Sequence, residues 1–343
     1  MNVTKQHIKD AVSANILSSE QSEQLIAFLN QQTSTTAKFD FTHVLYYLGG
    51  LIAIGAMTLF MNLGWVSFGG IGIVFISLFY AAVGIKLANV FKMKGFFVPA
   101  GLCATFVVVL TPLAVFGVQQ ALGVWPDDTV YRDYHRYIHW HWLYMELSTL
   151  AVGVVIAWKY KYPFLVMPIA VTLWYLTMDV SVMLSDGEYS WELRTIVSMY
   201  TGLLMIALGF WVDVRTANKA DYAFWIYLFG VIAFWGGLSS QHSDSELSKF
   251  FYFLINFVMI FIGVLLIRRV FVVFGAIGCT GYVGYLAAEV FADSWFFPIA
   301  LTFLGLFVIY LGIKWQKNDA AITAKTRKLL PKAVQTLLDA KHL

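Results

Sequence analysis

The 343 residues are 59% hydrophobic and 13% charged, with a mean hydropathy of +0.71, whereas a soluble domain carries roughly 25% charge. A soluble globular protein is excluded, and with 7 Pro and 2 Cys so are disordered, collagen-like and disulfide-scaffold chains. The net charge of +3 needs no nucleic-acid partner, because basic loops held at a membrane surface account for it.

Residues 4–30 read as two short helices separated near Asn15. Ser18 with Gln21 three positions on fits a capping box, and Ile16, Leu17, Leu25, Ile26 and Leu29 give the second helix an apolar stripe. We expect residues 1–38 to be a cytosolic hairpin and linker, the hairpin offering a surface to a cytosolic protein partner. A cleavable signal peptide needs a basic start followed at once by an apolar run, so none is expected and the first span inserts the chain.

Windows of about 19 residues then place apolar spans near 43–63, 68–89, 96–119, 143–158, 163–184, 195–212, 222–240, 250–267, 270–291 and 295–315. The fold class expected is therefore all-α: a polytopic transmembrane helix bundle of about ten spans over 39–316, with an outer loop near 120–142. Pro99, Pro112, Pro163 and Pro168 are placed to kink or start the third and fifth spans. In residues 317–343, Leu329, Leu330, Val334, Leu337 and Leu338 recur between Lys325, Arg327, Lys328, Lys332 and Lys341. This reads as a basic amphipathic helix on anionic inner-leaflet lipids, or as one packed on the N-terminal hairpin.

Basic residues set the orientation, since positively charged loops stay cytoplasmic. With the N-terminus inside, 19 of the 23 Lys and Arg fall on the inner side, and only Arg132, Arg136, Arg194 and Lys249 on the outer. Both termini are expected inside. The acids Asp127, Asp128, Asp133, Asp186, Glu188, Glu192, Asp244, Glu246 and Asp293 gather outside. No ionisable group is expected in the inner half of any span.

The run Asn15-Ile16-Leu17-Ser18-Ser19-Glu20-Gln21, the polar linker, and the opening of the first span at Leu45-Tyr46-Tyr47-Leu48-Gly49-Gly50-Leu51-Ile52-Ala53-Ile54-Gly55 carry a family likeness. Over the hairpin and first spans the chain resembles the predicted bacterial inner-membrane proteins grouped as domain of unknown function 2157. That resemblance implies a bacterial cytoplasmic membrane and implies no reaction and no site residue.

Charge within hydrocarbon is costly and usually faces a protein interior or a water path. Asp179 sits in the outer half of the fifth span, Glu146 in that of the fourth, and Glu289 near the outer end of the ninth. Together they would line an outward-facing polar vestibule with Arg194 as counter-ion; the competing reading has Glu146 and Glu289 merely reaching the interface. Asn256 either joins that pathway or, like Asn62, Gln119 and Gln120, bridges helices by hydrogen bonds. In the outer loop, His135 and His139 at i and i+4, with Asp133 or His141, have spacing suited to zinc or copper. An interfacial belt of Tyr, Trp, His and Arg is the alternative for that segment. Cys103 and Cys279 read as small packed hydrophobes, and no phosphate-loop, nucleophile-elbow or zinc-protease motif is present, so no catalysis is expected.

The functional expectation is a transporter- or channel-like bundle passing a small solute or cation through an outward-facing site. The alternatives are a non-catalytic membrane scaffold that binds a partner, and a periplasmic-face metal-binding protein.

Overall fold

The computed structural model describes residues 8, 11–14, 16–33, scattered positions between 41 and 59, then 68–125, 140–184, 190–216, 220–241, 243–291 and 294–317. The chain divides into two compact units, Met1–Gly49 and Gly50–Leu343. In the first, helix α1 (Ser19–Thr33) begins at a reciprocal capping box. The Ser18 backbone N–H donates to Gln21 Oε1 and the Gln21 N–H to Ser18 Oγ, each at 3.1 Å, so two of the helix's orphan donors are satisfied locally.

The regular elements among the described residues of the second unit are helices: α2 (Gly69–Met93), α3 (Phe97–Val109), α4 (Thr111–Ala121), α5 (Trp140–Tyr160), α6 (Val166–Leu184), α7 (Trp191–Arg215), α8 (Ala223–Ser239), α9 (Glu246–Leu266), α10 (Arg269–Tyr285) and α11 (Phe296–Lys317). Among the described residues, seven stretches are long and apolar enough to cross a bilayer: Gly69–Met93, Phe97–Ala121, Trp140–Tyr160, Pro163–Met183, Trp191–Arg215, Glu246–Leu266 and Arg269–Val290. The protein is thus a helical chain suited to a lipid bilayer. Helix α8 is apolar but shorter, α11 covers the range expected for the last span, and much of the expected 43–63 span lies outside the described residues.

The span expected at 96–119 is present as Phe97–Ala121 and is broken at Leu110 into α3 and α4. Pro112 is the cause, since it opens α4 and has no N–H to give to the preceding turn. Pro163 likewise opens a short 3-10 turn, Pro163–Leu165, that feeds α6. Three helices end alike, with the N–H of one residue reaching the carbonyl five back: Phe96 to Phe91 at 2.9 Å after α2, Val124 to Gln119 at 3.0 Å after α4, and Arg268 to Gly263 at 2.8 Å after α9. That closure needs a left-handed residue just before the donor. It is Gly95 and Gly123 in the first two cases and Ile267, at φ +56°, in the third.

Helix α2 packs on α3 and α4, α5 on α4 and α6, and α7 on α8, while α6 rests against both α7 and α8. Helices α9 and α10 form a second pair, with α10 touching α8. The closest approach is α7 on α8, where a side chain at Gly202 would strike the Phe234 backbone and one at Gly237 the Thr195 carbonyl. In lipid, where apolar burial gives little net drive, such backbone proximity is what joins helices.

Candidate functional site

Helices α5 and α6 form an antiparallel hairpin around the Tyr160–Leu165 turn. Glu146 lies fifteen residues before Lys161 and Asp179 sixteen after Pro163, so at 1.5 Å per residue both sit about 23 Å up their helices, at the same level. They are 7% and 8% exposed, which places both inside the bundle rather than at a lipid-facing interface. Their carboxyl groups lie close enough to act on each other directly.

The pair opens into a cavity of about 700 Å³ between the start of α5, the end of α6, the start of α7 and the end of α8. Arg194 lines the same cavity, bringing together three of the residues expected in a vestibule. The walls are otherwise mostly carbon, contributed in part by Trp142, Trp174, Tyr175 and Trp191. Ser198 organises the back wall: its hydroxyl donates to the Ala233 carbonyl at 2.9 Å and accepts from Trp174 Nε1 at 3.4 Å, tying α6, α7 and α8 together. Thr149 and Thr195 return their hydroxyl protons to carbonyls of their own helices, Met145 at 2.6 Å and Glu192 at 2.8 Å. Glu146 Oε2 is buried with no hydrogen-bond partner among the described residues.

Asn256 and Glu289 are not in that wall. Asn256 is fully buried between α8, α9 and α10, accepting from Trp235 Nε1 at 3.0 Å, donating to the Tyr252 carbonyl at 2.8 Å and pressing on Gly278. These bonds bridge α8 and α9. Glu289 is exposed on a π-helical turn, Leu286–Val290. Of the proposed metal ligands, Asp133, His135 and His139 lie outside the described residues. His141 packs its ring against Trp125 at 5.9 Å, and its carbonyl accepts from Gln119 Nε2 at 3.1 Å. Among the described residues no three His, Cys, Asp or Glu side chains cluster as metal ligands.

A second ionised cluster, just beyond the expected spans 195–212, 222–240 and 250–267, lies at the opposite ends of α7 and α8. Asp213, in the last turn of α7, is 4% exposed and Arg268 is 9% exposed. Arg268 Nε donates to Asp213 Oδ2 at 3.1 Å and Nη2 to Asp213 Oδ1 at 2.6 Å. The same guanidinium forks onto Asp221, with Nη1 at 2.5 Å and Nη2 at 2.9 Å, and lies 5.3 Å from the Tyr227 ring centre. Reading Arg268 only as a basic loop residue concealed the pairing. The available signal was Asp213, an acid one turn inside an apolar helix. Asp213 and Arg194 are nineteen residues apart on one helix, about 28 Å, close to the thickness of a bilayer's hydrocarbon core.

Comparison with known protein families, curated proteins and solved structures returns no match to this chain.

Proposed function

We propose that the chain is a multi-pass protein of the bacterial cytoplasmic membrane, with about ten spans and both termini inside, that takes a small solute or cation from the outer side through the cavity at Asp179 and Glu146. One observation carries this reading: two buried carboxyl groups in contact, facing an arginine, in a cavity at one end of the bundle. Carboxyl groups in hydrocarbon are costly, and pathways for protons and cations are where membrane bundles bear that cost. A shared proton and an incoming cation would compete for the same oxygens, which gives the site a means of exchanging one for the other. The Arg268–Asp213–Asp221 cluster supports the same reading by closing the far end of α7 and α8 with a pairing that a through-passage would have to open. The resemblance of the N-terminal residues to bacterial inner-membrane proteins supports the location.

The test is flux into liposomes containing the full chain, followed for protons, sodium, potassium and the organic cation rhodamine 6G. Asp179→Asn and Glu146→Gln are each expected to slow the transported species about tenfold or more, the scale for groups that bind or transfer the moving charge. Flux in both variants equal to that of an active wild type would remove the pair from the pathway.

A further inference from the structure

Resting on that reading of the cavity, we infer that its ligand is an organic cation with apolar or aromatic bulk, rather than a bare metal ion or an anion. A hard cation such as calcium or magnesium surrenders its water only to a shell of roughly six or more oxygen ligands. Here the side-chain oxygens of Glu146 and Asp179 are set in a wall that is mostly carbon. Of the nearby hydroxyl oxygens, Ser198 Oγ already accepts from Trp174 Nε1 at 3.4 Å. The volume of about 700 Å³ is also far larger than an ion requires and falls in the range that encloses drug-sized molecules.

The aromatic residues point the same way. Trp174, Tyr175 and Trp191 line the cavity beside the carboxyl pair. The Trp174 indole N–H is engaged by Ser198, which fixes the ring, and Tyr175 meets it in a T-shaped arrangement with centroids 5.5 Å apart. Ring faces attract alkylammonium and other weakly hydrated cations. A carboxyl pair supplies the opposite charge, and two acids against one Arg194 leave the wall without the excess of positive charge that an anion site needs. Trp191 is 58% exposed at the first turn of α7, which puts it at the mouth of the cavity, where a ligand meets it first.

The experiment uses the purified full chain in nanodiscs and the fluorescence anisotropy of rhodamine 6G. Binding is challenged with tetraphenylphosphonium and tetraphenylborate, ions of nearly identical shape and opposite charge. Saturable binding is expected. The phosphonium should compete at least about tenfold better than the borate, because a cation can displace the proton of the carboxyl pair whereas an anion meets no excess of positive charge. Glu146→Gln and Asp179→Asn should weaken binding by a similar factor. Trp191→Ala, at an exposed position that folding does not depend on, should weaken it about two- to five-fold through loss of one ring face. Equal or stronger competition by the borate overturns the inference in favour of an anion held by Arg194. Absence of rhodamine binding, with proton or alkali-cation flux still dependent on the carboxyls, overturns the ligand class and leaves the transport reading standing. Absence of both binding and flux overturns the two together.

Discussion

At the residue scale, the left-handed end of α9 is the sharpest local conflict between sequence and backbone. The same five-back closure that uses Gly95 and Gly123 elsewhere is made with a β-branched side chain at Ile267. A left-handed L-residue costs about 1–2 kcal/mol, because Cβ crowds the following carbonyl oxygen. Ile267 is 48% exposed, so its side chain contributes little packing in return. Ile267→Gly should therefore stabilise the protein by about 1 kcal/mol, read as a higher thermal midpoint in detergent. Ile267→Ala, which keeps Cβ, should not. An equal gain from both variants would place the effect in the removed side chain rather than in the backbone. The position matters because the next residue is Arg268, whose placement between two acids depends on where this turn points it.

At the element scale, burial decides what each arm of that cluster is worth. Arg268 and Asp213 have side chains 10% and 6% exposed, whereas that of Asp221 is 51% exposed. Removing one partner of a buried pair strands the other charge and costs about 3–5 kcal/mol; an exposed pair contributes about 0–1 kcal/mol. Asp213→Asn and Arg268→Gln should thus lower stability markedly, and Asp221→Asn only slightly, in equilibrium or thermal unfolding. Arg268→Lys should fall near the severe end, since an ammonium cannot fork onto two carboxylates. Equal losses at Asp213 and Asp221 would mean that the pairing is wet on both sides. Elsewhere the helices are joined by small residues, with Gly202, Gly230 and Gly237 bringing α7 onto α8, and Gly263, Gly275 and Gly278 bringing α9 onto α10.

At the scale of the whole molecule, the proposed orientation puts the carboxyl cavity outside and the Arg268 cluster inside. Single cysteines in a Cys103→Ala, Cys279→Ala background test it, because both native cysteines lie within apolar helices. A membrane-impermeant maleimide applied to intact cells should label a Ser243→Cys variant and should reach a Lys94→Cys variant only after permeabilisation. The reverse pattern would invert the bundle and turn the cavity toward the cytoplasm. Helix α7 is the element that links the two ends, with Arg194 at one and Asp213 at the other.

Much of this was legible in the residue order because hydrocarbon is so unforgiving of charge. The class followed from composition, the helices from apolar runs of bilayer length, the capping box from Ser18 and Gln21, and the breaks from Pro112 and Pro163. Asp179 and Glu146 stood out for the same reason, and their equal distance from one tight turn already set them at one height. The rotation of each helix about its axis was not legible, since it depends on which faces pack. That rotation brought the two carboxyls together with Arg194, turned Asn256 into a bridge and left Glu289 on the surface. Nor could local pattern reveal that Arg268 meets acids 55 and 47 residues away. Spacing along a chain determines height in a membrane, but only tertiary packing decides which charges share a cavity and which neutralise one another.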